Sequence, residues 1–158
     1  MVPAHVDPDG AALRALRSAG LRVTIPRRAM LTWLSGHPHS TADTIGAGVR
    51  AQAIPVSTQA VYDMLAVCTG AGLLRRIEPA GHPARYERRV RDNHHHLVCR
   101  RCGRTEDVDC VIGARPCLTP VDDQGFEIDE AEVLFWGVCP GCKAVEGSLG
   151  GTSDDEEE

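Results

Sequence analysis

Ser57-Thr-Gln-Ala-Val-Tyr-Asp-Met-Leu-Ala-Val-Cys-Thr-Gly-Ala-Gly-Leu-Leu-Arg-Arg-Ile77, continued by Glu78-Pro-Ala-Gly-His-Pro-Ala-Arg-Tyr-Glu-Arg-Arg89, is the stretch on which the fold of the first half turns. Val61, Met64, Leu65 and Cys68 recur at i, i+3, i+4 and i+7 and make one apolar stripe of a helix, with Ser57 as its N-cap after Pro55. Gln59, Tyr62, Asp63 and Ala66 occupy the opposite side, and Gly70 and Gly72 end the helix. Leu73 to Ile77 and Arg85 to Arg89 then read as two short strands joined by the turn-rich Pro79-Ala-Gly-His-Pro83.

Upstream, a short helix fits residues 11–19, with Leu13 and Leu16 inward and Gly20 as its stop. Pro26 suits the first position of the next helix, which carries Met30, Trp33 and Leu34 on one face and ends at Gly36 and Pro38. Ser40-Thr-Ala-Asp43 opens a third helix as a capping box, with Ile45 and Val49 inward and Gly46 and Gly48 weakening it. Helices followed by a basic hairpin are the order of a winged helix-turn-helix. The expected fold is therefore α+β, with a DNA-binding domain over 1–90 and a hinge near 88–93. Beyond the hinge, short strands fit 94–100, 104–109 and 131–138, giving a small α/β domain over 93–147. Residues 148–158, ending in Asp154 to Glu158, read as a disordered acidic tail.

Charge separates the same halves. Residues 1–92 carry 12 arginines against 7 acids, whereas 93–158 carry 5 basic residues against 15 acids. The basic half is the plausible nucleic-acid face. No apolar run approaches the roughly 20 residues of a membrane span, and the N-terminus lacks the basic-then-apolar order of a signal peptide. A cytoplasmic protein is the expectation, and there seven cysteines read as metal ligands or redox groups rather than a disulfide framework. Aromatic residues are only 4% of the chain, so thin cores call for a metal or a partner subunit.

The sharpest local signal is Cys99-Arg-Arg-Cys102 with Cys139-Pro-Gly-Cys142. Two residues between thiolates let both sulfurs of a knuckle reach one ion, and two knuckles close a tetrahedral shell with no open position. That suits structural zinc; thioredoxin-type redox pairs are the alternative, without a βαβ context around either motif. In Asn93-His-His-His96, alternation along a strand puts His94 and His96 on one face and His95 on the other, so two imidazoles make half of a transition-metal site. Cys110 and Cys117 read either as small buried hydrophobes or as an oxidation-sensitive pair. Arg22, Arg27, Arg28, Arg75, Arg76, Arg85, Arg88 and Arg89 surround the helix-turn-helix and wing as candidate phosphate contacts, with base reading left to the exposed side of 57–68.

Residues 10–145 resemble the ferric uptake regulator family. The carriers are Leu21-Arg-Val-Thr-Ile-Pro-Arg27, Ser57-Thr-Gln-Ala-Val-Tyr-Asp63, Ala84-Arg-Tyr-Glu87, His94-His-His-Leu-Val-Cys-Arg-Arg-Cys-Gly103 and Gly137-Val-Cys-Pro-Gly-Cys142. The surroundings of Asp92-Asn-His-His-His96 and of Asp109-Cys110 with Pro116-Cys117 look most like the subgroup that represses a catalase-peroxidase gene. The resemblance implies a homodimeric repressor on double-stranded operator DNA, with Zn2+ on the thiolates and Fe2+ or Mn2+ (Zn2+ or Ni2+ substituting) at a regulatory site. By motif position that site falls to His39, Glu87, His94 and His96, with Asp107 as a further ligand. His95 with Glu132 would be the remnant of a third site. The implied DNA contacts are Arg22, Thr24, Arg27, Arg28, Ser57, Gln59, Tyr62 and Arg75. The chain departs from the family pattern at Ala60 and Asp63, where relatives often carry Thr and Arg, and at Glu87, where peroxide sensors often carry Asp. Control of oxidative-stress or iron genes, with peroxide sensing through oxidation of a metal ligand, is the implied function. No membrane, small-molecule substrate or catalytic residue is implied. A zinc- or nickel-sensing regulator, and from a different class a metalloenzyme at the His/Glu site, are the competing readings; no positioned base or nucleophile motif favours the latter.

Overall fold

The computed structural model describes residues 7–88, 94–109, 118, 120–128 and 131–149. The chain divides into two compact units, Met1–Asp92 and Asn93–Glu158. Arg89, Asn93, Cys110, Cys117 and the run Asp154–Glu158 lie outside the described residues.

The first unit begins with α1 (Pro8–Ser18), α2 (Ile25–Leu34), β1 (Ser40–Thr41), α3 (Ala42–Arg50) and α4 (Thr58–Gly70), and ends with β2 (Arg75–Ile77) and β3 (Arg85–Glu87). Each helix starts where a side chain can accept from an orphan backbone N–H. Asp7 takes that of Asp9, Thr24 that of Arg27, Thr41 that of Thr44 and Ser57 that of Ala60. α1 thus begins three residues ahead of the expected 11, because Asp7-Pro8 supplies both a cap and a proline at N1. Its buried contacts are Ala12 and Leu16, with Leu13 only half-buried. The core gathers Leu16, Met30, Leu31, Leu34, Ile45, Val49, Val61, Leu65 and Cys68. Burial of the Cys68 thiol pushes its pKa up, as expected of a core residue.

β2 and β3 form the wing, and β1 adds a short third strand in the order β1-β3-β2, antiparallel throughout. This two-residue strand was not foreseen. Four helices and a wing make the first unit a winged helix-turn-helix.

The second unit is built on β4 (His94–Cys99), β5 (Thr105–Asp109), β6 (Leu134–Gly137) and α5 (Pro140–Leu149). β4 lies between an antiparallel β5 and a parallel β6. The turn between β4 and β5 closes at Gly103, whose φ of 69° a side chain would resist and whose N–H donates to the Cys99 carbonyl at 2.9 Å. α5 was also not foreseen: Pro140-Gly-Cys142 was read only as a knuckle, yet Pro140 opens a helix that runs past residue 147.

Candidate metal centres and DNA-reading surface

Four cysteines converge in the second unit because three elements deliver them. Cys99 ends β4, Cys102 sits in the turn before β5, and Cys139 and Cys142 flank the start of α5. The parallel register sets Cys99 beside Gly137, which brings the second knuckle alongside the first. Thiolates about 2.3 Å from one tetrahedral ion lie about 3.8 Å from each other. Here the Sγ atoms of Cys102 and Cys139 are 3.7 Å apart, and all four lie within 4.8 Å of one another. The donor set fits a closed zinc site.

The electrostatics agree with that fit. N–H groups of Cys102, Cys139 and Arg101 aim at Cys99 and lower its pKa to about 5. The Cys139 amide stands 3.3 Å from its sulfur. Cys142 goes the other way, pushed up to about 12 chiefly through its hydrogen bonds to Cys139 and Cys102. Four sulfurs this close cannot share their negative charge without a cation among them.

In the first unit, His39 and Glu87 meet through the short strand. The register pairs Ser40 with Tyr86 and Thr41 with Arg85, so one further step sets His39 across from Glu87. His39 Nε2 lies 2.9 Å from Glu87 Oε2, with both side chains buried. His39 reaches this position at φ 57°, a left-handed conformation uncommon for a non-glycine residue. The Arg85 guanidinium donates to its carbonyl at 2.8 Å.

In the second unit, His94 and His96 share one face of β4, as strand alternation requires, with ring centroids 4.9 Å apart. Asp107 on β5 pairs directly with His96, and its Oδ1 stands 3.7 Å from Nε2 of each histidine. All three histidines are buried. His95 faces away, its ring 6.3 Å from that of Phe135. Glu132 is exposed ahead of β6. Neither His95 nor Glu132 belongs to a group of three or more ligating side chains among the described residues.

On the side of α4 expected to read bases, Gln59, Tyr62, Asp63 and Ala66 are exposed. Gln59 Nε2 donates to Asp63 Oδ1 at 2.8 Å, one turn further along. Tyr62 and Asp63 also line a cleft of about 700 Å³ with Arg76 and Tyr86 of the wing. Burial raises the pKa of Tyr86. Ser57 is the α4 cap and Thr24 the α2 cap. Arg22 accepts at its carbonyl from Arg27 at 2.7 Å, Arg28 pairs with Asp9 at 3.1 Å, and Arg75 sits on β2 opposite Glu87. Arg85 and Arg88, also grouped with the candidate phosphate contacts, make hydrogen bonds within the first unit. Arg85 holds the His39 carbonyl, and Arg88 donates to the Leu31 carbonyl at 3.2 Å and to Ser35 Oγ at 2.6 Å. Burial lowers the pKa of Arg88. Arginines that bond backbone carbonyls cannot be told from phosphate contacts by charge alone.

The sequence model described as "Ferric uptake regulator family" matches residues 18–135. The chain is 57% identical over 127 residues to "Transcriptional regulator FurA" of Mycobacterium tuberculosis, covering 80% of this chain and 86% of that protein. It is 59% identical over 121 residues to "Ferric uptake regulation protein 1" of Mycolicibacterium fortuitum, covering 77% and 75%. Among solved structures it is similar to the ferric uptake regulator of Pseudomonas aeruginosa with manganese, at TM-score 0.67 and 26% identity over 82% of this chain and 98% of that one.

Proposed function

Starting from the fact that the chain belongs to the ferric uptake regulator family, and so is a metal-responsive transcriptional regulator and not an enzyme, we propose that it is a repressor that binds operator DNA as a homodimer when Fe(II) or Mn(II) occupies its regulatory site. Oxidative-defence or iron genes are its targets in this reading. The observation that supports it is a pair of ligand sets, buried His39 with buried Glu87 in the first unit and buried His94 and His96 with half-buried Asp107 in the second. Neither set completes a coordination shell alone, and together they offer imidazoles and carboxylates suited to a divalent transition metal.

We assign one ion to both sets. When bound it supplies a divalent charge that the five side chains share. His39 and Glu87 then carry the first unit, and His94, His96 and Asp107 the second, into the one arrangement in which all ligate. A metal present at about 100 times its dissociation constant favours that arrangement by about 2.7 kcal/mol, enough to move a DNA-binding equilibrium. The thiolates of Cys99, Cys102, Cys139 and Cys142 hold a separate structural zinc that keeps the second unit folded. The same imidazoles accept Zn(II) and Ni(II), so a zinc- or nickel-sensing regulator is the competing reading.

The test is operator affinity, on duplexes selected from a random library, against buffered free Fe(II), Mn(II), Zn(II) and Ni(II). Fe(II) and Mn(II) are expected to switch binding on; affinity indifferent to all four would overturn the reading. Peroxide sensing adds a second readout. Peroxide should release the Fe(II)-loaded protein from DNA and leave a His39 or His94 peptide heavier by one oxygen, while the Mn(II)-loaded protein persists. Equal loss with both metals removes that route.

A further inference from the structure

We propose that Asp63 is a positioning residue for sequence readout: it orients the Gln59 side chain so that the pair selects adenine, and rejects guanine, at one base pair of each half-site. This rests on the reading of α4 as the DNA-reading helix. Gln59 lies in the first turn of α4 and Asp63 one turn later, both on the exposed side of the helix. In helix-turn-helix proteins the N-terminal residues of the reading helix are the ones that meet base edges in the major groove.

The hydrogen bond between them fixes which way the glutamine amide points. An ionised carboxylate only accepts, so the 2.8 Å contact must be Gln59 Nε2–H to Asp63 Oδ1. One N–H of the amide and its carbonyl Oε1 are left over. That pair of groups, a donor beside an acceptor, matches N7 and the N6 amino group of adenine, the bidentate pairing that glutamine makes in the major groove. Guanine presents acceptors at both N7 and O6, so the glutamine carbonyl would face another oxygen. The Asp63 carboxylate, close behind, adds a negative charge to that mismatch. Without Asp63 the amide turns freely and can present its donor edge to either purine.

The neighbours favour this division of labour. Ser57 is spent on the cap of α4, accepting the Ala60 N–H at 3.1 Å, and so fixes the start of the helix. Ala60 offers no polar group, and Tyr62 is 46% exposed one residue from Asp63, where its ring can contact sugar or base. The cost of Asp63 is a negative charge carried toward phosphates. Affinity and selectivity are therefore set against each other at this residue, which gives the experiment a signature that loss of folding would not produce.

The experiment is binding-site selection from a random duplex library, followed by affinity measurements on adenine- and guanine-containing variants of the selected site, using full-length zinc- and Mn(II)-loaded protein. Wild type should prefer adenine at the affected base pair. Gln59→Ala should lose the preference, by about tenfold in the affinity ratio. Asp63→Ala should lose it to a similar degree while binding the guanine site more tightly than wild type does. Asp63→Asn keeps an acceptor for the amide and should retain the adenine preference with the charge removed. Identical selection profiles for wild type, Gln59→Ala and Asp63→Ala would overturn the proposal. Loss of preference in Gln59→Ala with full preference in Asp63→Ala would overturn the role of Asp63. Failure of the wild type to bind any duplex with any metal would instead sink the repressor reading on which the proposal rests.

Discussion

His39 stands in the left-handed region at φ 57°, with its carbonyl held by Arg85 and its ring against Glu87. A non-glycine residue keeps such a conformation when its surroundings over-determine it, and functional sites are where that happens. Arg85→Met removes the charged donor and should raise the Mn(II) concentration for half-maximal operator binding by about tenfold, with the first unit still folded. An unchanged titration would mean that β1 alone holds His39. Gly48 is a second residue whose role lies in contact. Its sequence reading was merely a weak helix position, but a Cβ there would come within 3.0 Å of three atoms of the Trp33 ring. Gly48→Ala should therefore lower the melting temperature of the first unit, at a cost of about 1–3 kcal/mol for overpacking, although alanine is the better helix former. The Ser57 cap was legible because capping is local, whereas the capping box expected from Ser40 is displaced by one residue: Thr41 caps α3, and the Ser40 hydroxyl donates to the His37 carbonyl at 2.8 Å. The meeting of His39 with Glu87 was not readable from spacing, since these residues are joined by pairing between strands far apart in the chain, and resemblance alone pointed to them.

Among the elements, the two knuckles and α5 act as one. Cys99 is held near pKa 5 by amide N–H groups, so at neutral pH it has no proton to give up on binding zinc. Cys142, pushed up to about 12, loses its proton only to the metal. Zinc uptake by the metal-free protein at pH 7 should thus release at most about three protons, read with an indicator dye in weak buffer. Release of four would contradict the ordering. The sign with pH follows: below about 5 Cys99 is protonated too, so zinc binding there must expel a further proton and affinity falls more steeply as acid is added. The strands of this unit were legible from alternation and from the cysteine spacing, which is local chemistry. α5 was missed because Pro140-Gly141 carries the mark of a turn, whereas proline at the first helical position starts a helix there. β1 escaped for a different reason, since two residues carry no periodicity.

At the scale of the molecule, a unit with 12 arginines against 7 acids precedes one with 5 basic residues against 15 acids. If Arg75 contacts phosphate and Gln59 a base, the two differ in salt dependence. Arg75→Ala should flatten the slope of log affinity against log salt by about one, and Gln59→Ala should leave the slope unchanged. Equal slopes for wild type and Arg75→Ala would remove Arg75 from the interface. The order of domains could be read because charge and pattern both change near residue 90. What composition could not carry is the idea that the units share an ion, since ligands contributed by both sides leave no motif at any single place. That claim is tested most directly by counting and weighing Mn(II) bound to the zinc-loaded protein, by electron paramagnetic resonance, in wild type, His39→Ala, His96→Ala and the double variant. The account predicts one tight regulatory ion per chain in wild type and its loss in either single variant, with the double variant no worse. Retention of a full-affinity ion in His39→Ala, or two independent ions in wild type, would contradict it.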